Sequence, residues 1–288
     1  MAAVTEIATF TDRLNSAVEE NHSLLCVGLD PDLDLLPAAY SYVREDPRAI
    51  AEFNAEVIAA TVDLVCAYKP NLGFYLANGA AGVEALEATR RMIPRHIPVI
   101  LDAKVGDIGS TATAYAAGYF DTWDFDAVTV NPYLGEDSLA PFLRRPDRGV
   151  IVVCKTSNPG SGDLQDLAVA TASGPQSLAM TVADRVRDWS DRYPASLALV
   201  VGATYPDELA AVRGRCPDLP ILLPGVGAQA GDLAASLAAG LDARGRGLIV
   251  NASRGVTYAG TGQEGRWSDH VRSAALALRH AINAARPS

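Results

Sequence analysis

The sequence has little of what marks a disulfide-stabilised, zinc-binding or membrane protein. Its four cysteines in 288 residues lie far apart and form no C-x-x-C pair, which argues against a disulfide scaffold and a cysteine zinc site. No apolar run approaches the roughly 18 residues that span a bilayer. The chain also shows no basic stretch followed by an apolar core, as a signal peptide would. We therefore expect a cytoplasmic protein with no membrane partner.

Positive charge is also scarce. The chain has 24 Lys and Arg against 34 Asp and Glu, a formal net charge of −10. A nucleic-acid binder generally needs a basic face, so we expect no nucleic-acid partner, although a local basic pocket for a small anion is compatible with this balance. The four histidines lie on or beside predicted helices. We therefore expect neither histidine acid–base catalysis nor a histidine metal site.

Short apolar runs alternate with amphipathic stretches along the chain. Eight runs are typical of buried strands, and they lie at 24–29, 65–69, 98–101, 126–130, 149–153, 197–201, 221–223 and 247–250. Helical spacing is clearest over about 49–65, 78–92, 110–119, 138–143, 175–189 and 268–284. Eight apolar strands with intervening helices predict a (β/α)8 barrel, formed by residues 1–288 as a single domain. An open doubly wound sheet is the alternative, which the absence of G-x-G-x-x-G after the first strand disfavours.

Polar residues follow nearly every predicted strand, and barrel enzymes carry their chemistry at the carboxyl ends of the strands. The sharpest group follows the third strand, where Asp102 and Lys104 are two apart and share one face of the chain. Asp107 lies just beyond them, and Lys69 ends the neighbouring strand. A buried Asp and Lys must be paired to offset desolvation. We therefore expect an alternating network of two lysines and two aspartates that titrate as a set.

A second feature lies on the other side of the predicted barrel. Pro224-Gly225-Val226-Gly227 follows the seventh strand, and Ser253-Arg254-Gly255 follows the eighth. Glycines let backbone amides approach an anion, and arginine adds a bidentate donor. Barrel enzymes often hold a phosphate at this position. Together the two segments predict a phosphate site, although turn glycines alone could also explain P-G-x-G. The polar stretch 157–162 after the fifth strand is typical of an active-site loop or lid.

With their neighbours, these residues resemble a known family. Asp102-x-Lys104-x-x-Asp107-Ile108, with Lys69 on the preceding strand, resembles orotidine 5′-phosphate decarboxylase, most closely its second bacterial subfamily, over nearly the whole chain. The supporting stretches are Leu29-Asp30-Pro31, Lys69-Pro70-Asn71, DAKVGDIGST at 102–111, NPYLG at 131–135, TSNPG at 156–160, VGAT at 201–204, PGVGAQ at 224–229 and NASRG at 251–255. One departure is Val105, where that subfamily usually carries arginine. Because other branches carry valine there, only a contact specific to that arginine would be lost.

The resemblance implies a decarboxylation of orotidine 5′-monophosphate (OMP) to uridine 5′-monophosphate (UMP), the last step of UMP biosynthesis, without a cofactor or metal. It also implies a homodimer with the active site at the subunit interface. Lys104 would donate the proton to C6 of the pyrimidine, Asp102 would face the substrate carboxylate, and Lys69 would contact the ribose and the network. The other implied roles are Asp30 for the ribose, Asp107 and Thr111 for the partner's site, Ser157 for the pyrimidine, and Gly225, Gly227, Gln229 and Arg254 for the phosphate.

Two other functions fit parts of the pattern. A keto-sugar-phosphate decarboxylase or hexulose-phosphate synthase of the same superfamily shares D-x-K-x-x-D but acts through a metal-bound enediolate. Such enzymes lack the lysine that ends the second strand, so Lys69 and the stretch 156–160 argue against them. A non-catalytic nucleotide-binding barrel is the second alternative, because a fold alone does not fix a function. A non-catalytic barrel would not require Lys69, Asp102, Lys104 and Asp107 together, so the presence of all four argues against this alternative.

Overall fold

The computed structural model describes residues 8–172, 174–225 and 233–286. Its strands are β1 (Leu25–Leu29), β2 (Ala67–Pro70), β3 (Ile100–Val105), β4 (Ala127–Val130), β5 (Gly149–Lys155), β6 (Ala168–Thr171), β7 (Gly174–Ser177), β8 (Ser196–Val201), β9 (Ile221–Pro224) and β10 (Leu248–Ala252). Eight of them form one parallel sheet in the order β2-β1-β10-β9-β8-β5-β4-β3. Bridges from Tyr68 to Val99 and from Asn71 to Asp102 join β2 to β3 and close the sheet. The predicted (β/α)8 barrel is confirmed, and the open-sheet alternative is wrong.

Helices cover the outside of the barrel. They are α1 (Phe10–Glu20), α2 (Ile50–Thr61), α3 (Leu72–Leu76), α4 (Gly79–Met92), α5 (Gly109–Ala117), α6 (Glu136–Leu143), α7 (Gly162–Gln165), α8 (Leu178–Ser190), α9 (Pro206–Arg215), α10 (Leu233–Gly240), α11 (Arg254–Thr257) and α12 (Trp267–Ala284). Short 3₁₀ segments lie at Ala38–Arg44, Pro47–Ala49, Pro132–Leu134 and Pro159–Ser161, and a π-helical turn at Gly118–Thr122. No helix in the described ranges is both long and apolar enough to cross a bilayer.

Apolar patterning located the buried parts of these elements well. Strands β1, β2, β4 and β10 are buried at every position, as expected for strands with a packed interior on one face and helices on the other. Five of the six predicted helices begin within two residues of the predicted start. Each presents an apolar stripe to the barrel, as α12 does with Val271, Ala275 and Ile282.

Several predicted boundaries are wrong by two or more residues; the helix predicted over 49–65, for example, ends at Thr61, and the strand predicted from 65 begins at Ala67. Two other differences have a clear physical reason. The helix predicted over 175–189 begins only at Leu178, because Gly174–Ser177 pairs antiparallel with β6 and the Ser177 side chain caps α8 by accepting a hydrogen bond from the Met180 amide. The third strand was predicted to stop at Leu101 but continues to Val105. Its last four residues include the charged Asp102 and Lys104, which lie at the mouth of the barrel, so the continuous apolar run ends before the strand does.

A buried ion cluster stabilises the amino-terminal end of the barrel, opposite the carboxyl ends of the strands. The Asp126 carboxylate accepts a hydrogen bond from the Val99 amide at 2.9 Å and lies 3.3 Å from both the Arg90 and Arg13 guanidinium groups. Arg90 is only 5% exposed and Asp126 only 6%. Removing one partner of such a cluster leaves an uncompensated buried charge.

We therefore expect Asp126→Ala to lower the free energy of unfolding by roughly 3–5 kcal/mol. Urea unfolding measures this loss. The control is Asp188→Ala, because the Asp188–Arg187 pair is exposed and should contribute less than about 1 kcal/mol. A wild-type urea midpoint for Asp126→Ala would contradict this description of the cluster.

Candidate active site

The Asp102 carboxylate is the centre of a charged cluster at the carboxyl end of the barrel. Lys69 Nζ donates to Asp102 Oδ2 at 3.0 Å, and Lys104 Nζ donates to Asp102 Oδ1 at 2.6 Å. Lys69 and Asp102 are buried, whereas the Lys104 side chain is 46% exposed. The three side chains lie together, as the sequence predicted. Lys104 is thus the member whose ammonium is open to a molecule in the barrel mouth.

The backbone presents Lys104 in an unusual conformation. Its φ is +46°, in the left-handed region that residues with a Cβ seldom adopt. The Lys104 amide donates to Thr129 Oγ1 at 2.9 Å, and Thr129 Oγ1 donates to Asp102 Oδ1 at 2.8 Å. The pairing of β3 with β4 also shifts register between Leu101 and Val105. These contacts hold a strained residue in place, which is common at functional sites.

Opposite charges keep the buried members of the cluster ionised. Burial alone would raise the pKa of Asp102, but the ammonium groups of Lys69 and Lys104 outweigh it and hold that pKa below its usual range. Burial alone would lower the pKa of Lys69, but the carboxylates of Asp30 and Asp102 outweigh it and raise that pKa above its usual range. The site therefore keeps a carboxylate between two lysines across ordinary pH.

This arrangement predicts a contribution of Asp102 to acid stability. Below about pH 5 the Asp102 side chain of the unfolded chain, with a pKa near 3.9, becomes protonated, whereas that of the folded chain stays ionised. The free energy of unfolding therefore decreases as the pH falls. We expect the wild type to lose more unfolding free energy between pH 5 and pH 3 than Asp102→Asn does. Urea unfolding at each pH measures both slopes. Asp34→Asn, which alters a side chain that is 86% exposed, is the control and should keep the wild-type slope. Equal slopes for wild type and Asp102→Asn would show the premise to be wrong.

A second carboxylate lies beside the cluster. Asp30 Oδ1 accepts a hydrogen bond from the Asn71 amide at 3.1 Å, and Asn71 Nδ2 donates to Asp102 Oδ2 at 3.3 Å. The Tyr258 hydroxyl donates to the Asp30 carbonyl at 2.9 Å and accepts from the Asp32 amide at 2.6 Å. Asn71 thus connects the two acids, and Tyr258 fixes the segment that carries Asp30.

Sequence reasoning gave no role to three of these neighbours: Asn71, Thr129 and Tyr258. A signal existed for two of them. Thr129 is a polar residue within an otherwise apolar buried strand, and Asn71 directly follows a strand end beside Lys69. Tyr258 carries no comparable signal, because it reaches Asp30 across more than 200 residues of chain.

The structure does not bring Asp107 and Thr111 to the cluster within one chain. Asp107 Oδ1 accepts a hydrogen bond from the adjacent Ile108 amide at 2.8 Å, and Asp107 has no ion-pair partner among the described residues. Thr111 is exposed on α5 and lines an apolar cavity of about 490 Å³. Ile108 and Tyr115 are exposed on the same segment, at 59% and 39%. Both predicted site residues therefore lie on an apolar outer surface.

The predicted phosphate residues are only partly described. Gly225 follows β9 with φ +93°, a conformation that glycine adopts without strain. Arg254 begins α11 directly after the neighbouring strand β10, and its side chain is exposed. Gly227 and Gln229 lie outside the described residues. In the ranges that the structure describes, no three His, Cys, Asp or Glu side chains are grouped so that they could hold a metal ion.

Ser157 lies at the mouth, two residues after β5. A Cβ added at Gly202 would lie 2.8 Å from the Ser157 Cβ and 3.0 Å from its amide nitrogen, so Ser157 packs directly on the backbone that follows β8. The segment after β5 thus begins over the open end of the barrel, as expected for an active-site loop.

Comparison with known proteins gives one consistent family. A model described as the orotidine 5′-phosphate decarboxylase / HUMPS family matches residues 23–265. The orotidine 5′-phosphate decarboxylase of Thermomicrobium roseum is 53% identical, covering 95% of each chain. The protein of the same name from Roseiflexus castenholzii is 52% identical, covering 96% of this chain and 98% of the other. The structure of Leishmania donovani OMP decarboxylase superposes with a TM-score of 0.82 at 43% identity, covering 96% and 98%.

Proposed function

This chain belongs to the orotidine 5′-phosphate decarboxylase / HUMPS family, and we propose that it converts OMP to UMP and CO2. The observation that carries the proposal is the Lys69–Asp102–Lys104 cluster, with a buried carboxylate between two ammonium groups and Lys104 open to the mouth. The product UMP is a pyrimidine nucleotide, so the reaction would serve pyrimidine nucleotide synthesis. A cytoplasmic location and a single domain spanning 1–288 remain predictions of the sequence.

Lys104 supplies the cation and the proton that this reaction needs. When the C6–carboxylate bond breaks, CO2 leaves and the electron pair stays on C6 as a carbanion. Two unit charges about 4 Å apart attract by roughly 4 kcal/mol at an effective dielectric near 20. An ammonium beside C6 therefore stabilises the transition state more than the neutral ring carbon of the substrate. The Lys104 ammonium then protonates C6, and its amine regains a proton from solvent.

Asp102 and Lys69 prepare that step. Asp102 holds Lys104 by the 2.6 Å hydrogen bond and would face the substrate carboxylate. The repulsion between the Asp102 carboxylate and the substrate carboxylate is present in the bound substrate and disappears as CO2 departs. This difference favours the transition state over the bound substrate. Lys69 balances the charge of Asp102 and would contact the ribose together with Asp30. Binding of the remote phosphate at Gly225 and Arg254, with Gly227 and Gln229 in the undescribed stretch, would help to hold the reacting end in place.

We also propose that the enzyme is a homodimer in which Asp107 and Thr111 complete the partner's site. Within one chain neither residue reaches the cluster, and both lie beside exposed apolar side chains that association would cover. The partner's Asp107 would restore the second carboxylate of the predicted alternating network. Ser157, after β5, would hydrogen-bond the pyrimidine.

The family also includes the metal-dependent alternative, and one assay separates the two. We expect the purified protein to consume OMP in an absorbance assay at an unchanged rate in the presence of EDTA. Lys69 in β2 favours this outcome, because its ion pair with Asp102 occupies the carboxylate that a metal would otherwise bind. Loss of turnover in EDTA would favour a metal-assisted reaction, and no OMP consumption by the folded protein would contradict the proposal.

A further inference from the structure

Lys155 is a buried ammonium that the proposed reaction does not use. It is the last residue of β5 and is 1% exposed. Its Nζ donates to Asp166 Oδ1 at 2.5 Å and lies 4.9 Å from the centroid of the Tyr205 ring. Because a buried ammonium is costly without a counter-charge, this side chain needs Asp166. Among the described residues, Asp166 is the only carboxylate paired with it.

The ion pair joins the two ends of the segment that carries Ser157. We call residues 156–166 the Ser157 loop; it leaves the barrel after Lys155 and comes back to the Lys155 side chain at Asp166. A second anchor lies beside the first: the Thr156 amide donates to Gln165 Oε1 at 2.8 Å, and Gln165 Nε2 donates to Thr156 Oγ1 at 2.8 Å. The loop is therefore closed at its base by one charged contact and two neutral hydrogen bonds.

The contacts that join the two ends of the Ser157 loop determine the position of Ser157. The Gly202 amide donates to the Lys155 carbonyl at 2.9 Å, so the end of β5 is fixed against the backbone after β8. Ser157 packs on that same glycine, with no room for a Cβ between them. A change in the path of the loop at its base would therefore move Ser157 relative to the barrel mouth.

We propose that Lys155 and Asp166 form a positioning pair, which holds the Ser157 loop closed so that Ser157 meets the pyrimidine. The inference rests on the proposed function, because Ser157 is assigned to the pyrimidine there. Lys155 acts through Ser157 and does not touch the reacting atoms, since Asp166 and Tyr205 enclose its ammonium. Because the Asp166 side chain is 57% exposed, Asp166 can be substituted without removing a side chain from the core.

The first test is Asp166→Asn, which removes the charge and keeps the side-chain shape. We expect KM for OMP to rise about tenfold while kcat stays within about threefold of wild type, since substrate binding is weakened and the proton donor is intact. Asp163→Asn removes a charge from an exposed position of the same loop and should leave both constants unchanged. A wild-type KM for Asp166→Asn would overturn the proposal.

A cycle with Ser157→Ala tests whether the pair acts through Ser157. In that background Asp166→Asn should change KM by less than about twofold, because the contact that the pair positions is already gone. A full tenfold change there would overturn the positioning role. If Asp166→Asn does not fold, the double variant Lys155→Met/Asp166→Asn is used instead, because it leaves no unpaired buried charge. It should show the same rise in KM, and a wild-type KM for it would overturn the proposal.

A readout independent of activity separates this inference from the proposed function. In hydrogen–deuterium exchange, residues 156–166 of Asp166→Asn should exchange at least about fivefold faster than in the wild type, with α8 unchanged. Unchanged exchange in the loop would overturn the positioning pair even if the wild type consumes OMP. Faster exchange, with no OMP consumption by the wild type, would instead support the pair and contradict the proposed function.

Discussion

Lys104→Ala should lower kcat for OMP by more than about 10⁴-fold, because the variant loses both the proton donor and the charge that stabilises the carbanion. The side chain is half-exposed and its removal leaves Asp102 paired with Lys69, so the barrel should still fold. UMP binding should remain measurable by calorimetry, since the proposed function assigns the phosphate contacts and most of the ribose contacts to other residues. Steady-state absorbance assays at high enzyme concentration measure the residual turnover.

Arg91→Ala is the matched control for the loss of one positive charge. Arg91 is 68% exposed on α4, toward the amino-terminal end of the barrel, and should leave kcat unchanged. Near-normal turnover in Lys104→Ala would refute the role of Lys104. A loss of UMP binding as large as the loss of turnover would also contradict it, because Lys104 would then act in binding.

Asp107→Ala should produce the second large effect, a loss of kcat of at least about 10²-fold, although Asp107 contacts no cluster residue of its own chain. The expected loss follows from the proposed dimer, in which the carboxylate completes the partner's site. If Asp107 served only its own chain, this partly exposed turn would tolerate the change. Asp137→Ala, another acidic residue beside a turn at this end of the barrel, is the control with the same loss of charge and should keep near-normal turnover.

Mixing the two inactive variants distinguishes a shared site from a self-contained one. In a symmetric dimer of one Lys104→Ala chain and one Asp107→Ala chain, one of the two sites has both groups intact. Random exchange gives mixed dimers half of the time, so about one quarter of wild-type activity should return. Recovery should require conditions that let subunits exchange. No recovery after demonstrated exchange would contradict the shared site.

How much could be predicted from the sequence depended on where each residue's partners lie. The barrel strands were predictable because burial on both faces leaves continuous apolar runs, as in β1 and β4. The meeting of Lys69 and Asp102 was predictable because the apolar runs of two neighbouring strands stop at or just before these residues, at the same end of the barrel. In each case local sequence and the barrel's topology together determine the contact.

Features that depend on tertiary context were missed. The strand Gly174–Ser177 has no alternating pattern and exists through its pairing with β6. The positive φ of Lys104 depends on its hydrogen bond to Thr129, and lysine itself gives no hint of it. Lys155 follows the predicted fifth strand at 149–153, and the sequence pattern did not indicate that its side chain is buried. Its partner Asp166 lies eleven residues away, beyond a loop whose path no periodicity specifies.

A crystal structure of the protein with UMP bound tests the central claim most directly. We predict that Lys104 Nζ lies within about 3.5 Å of pyrimidine C6, with the phosphate at Gly225 and Arg254 and the partner's Asp107 beside the ribose. A UMP ring whose C6 faces away from Lys104, or a site formed by one chain alone, would contradict the account.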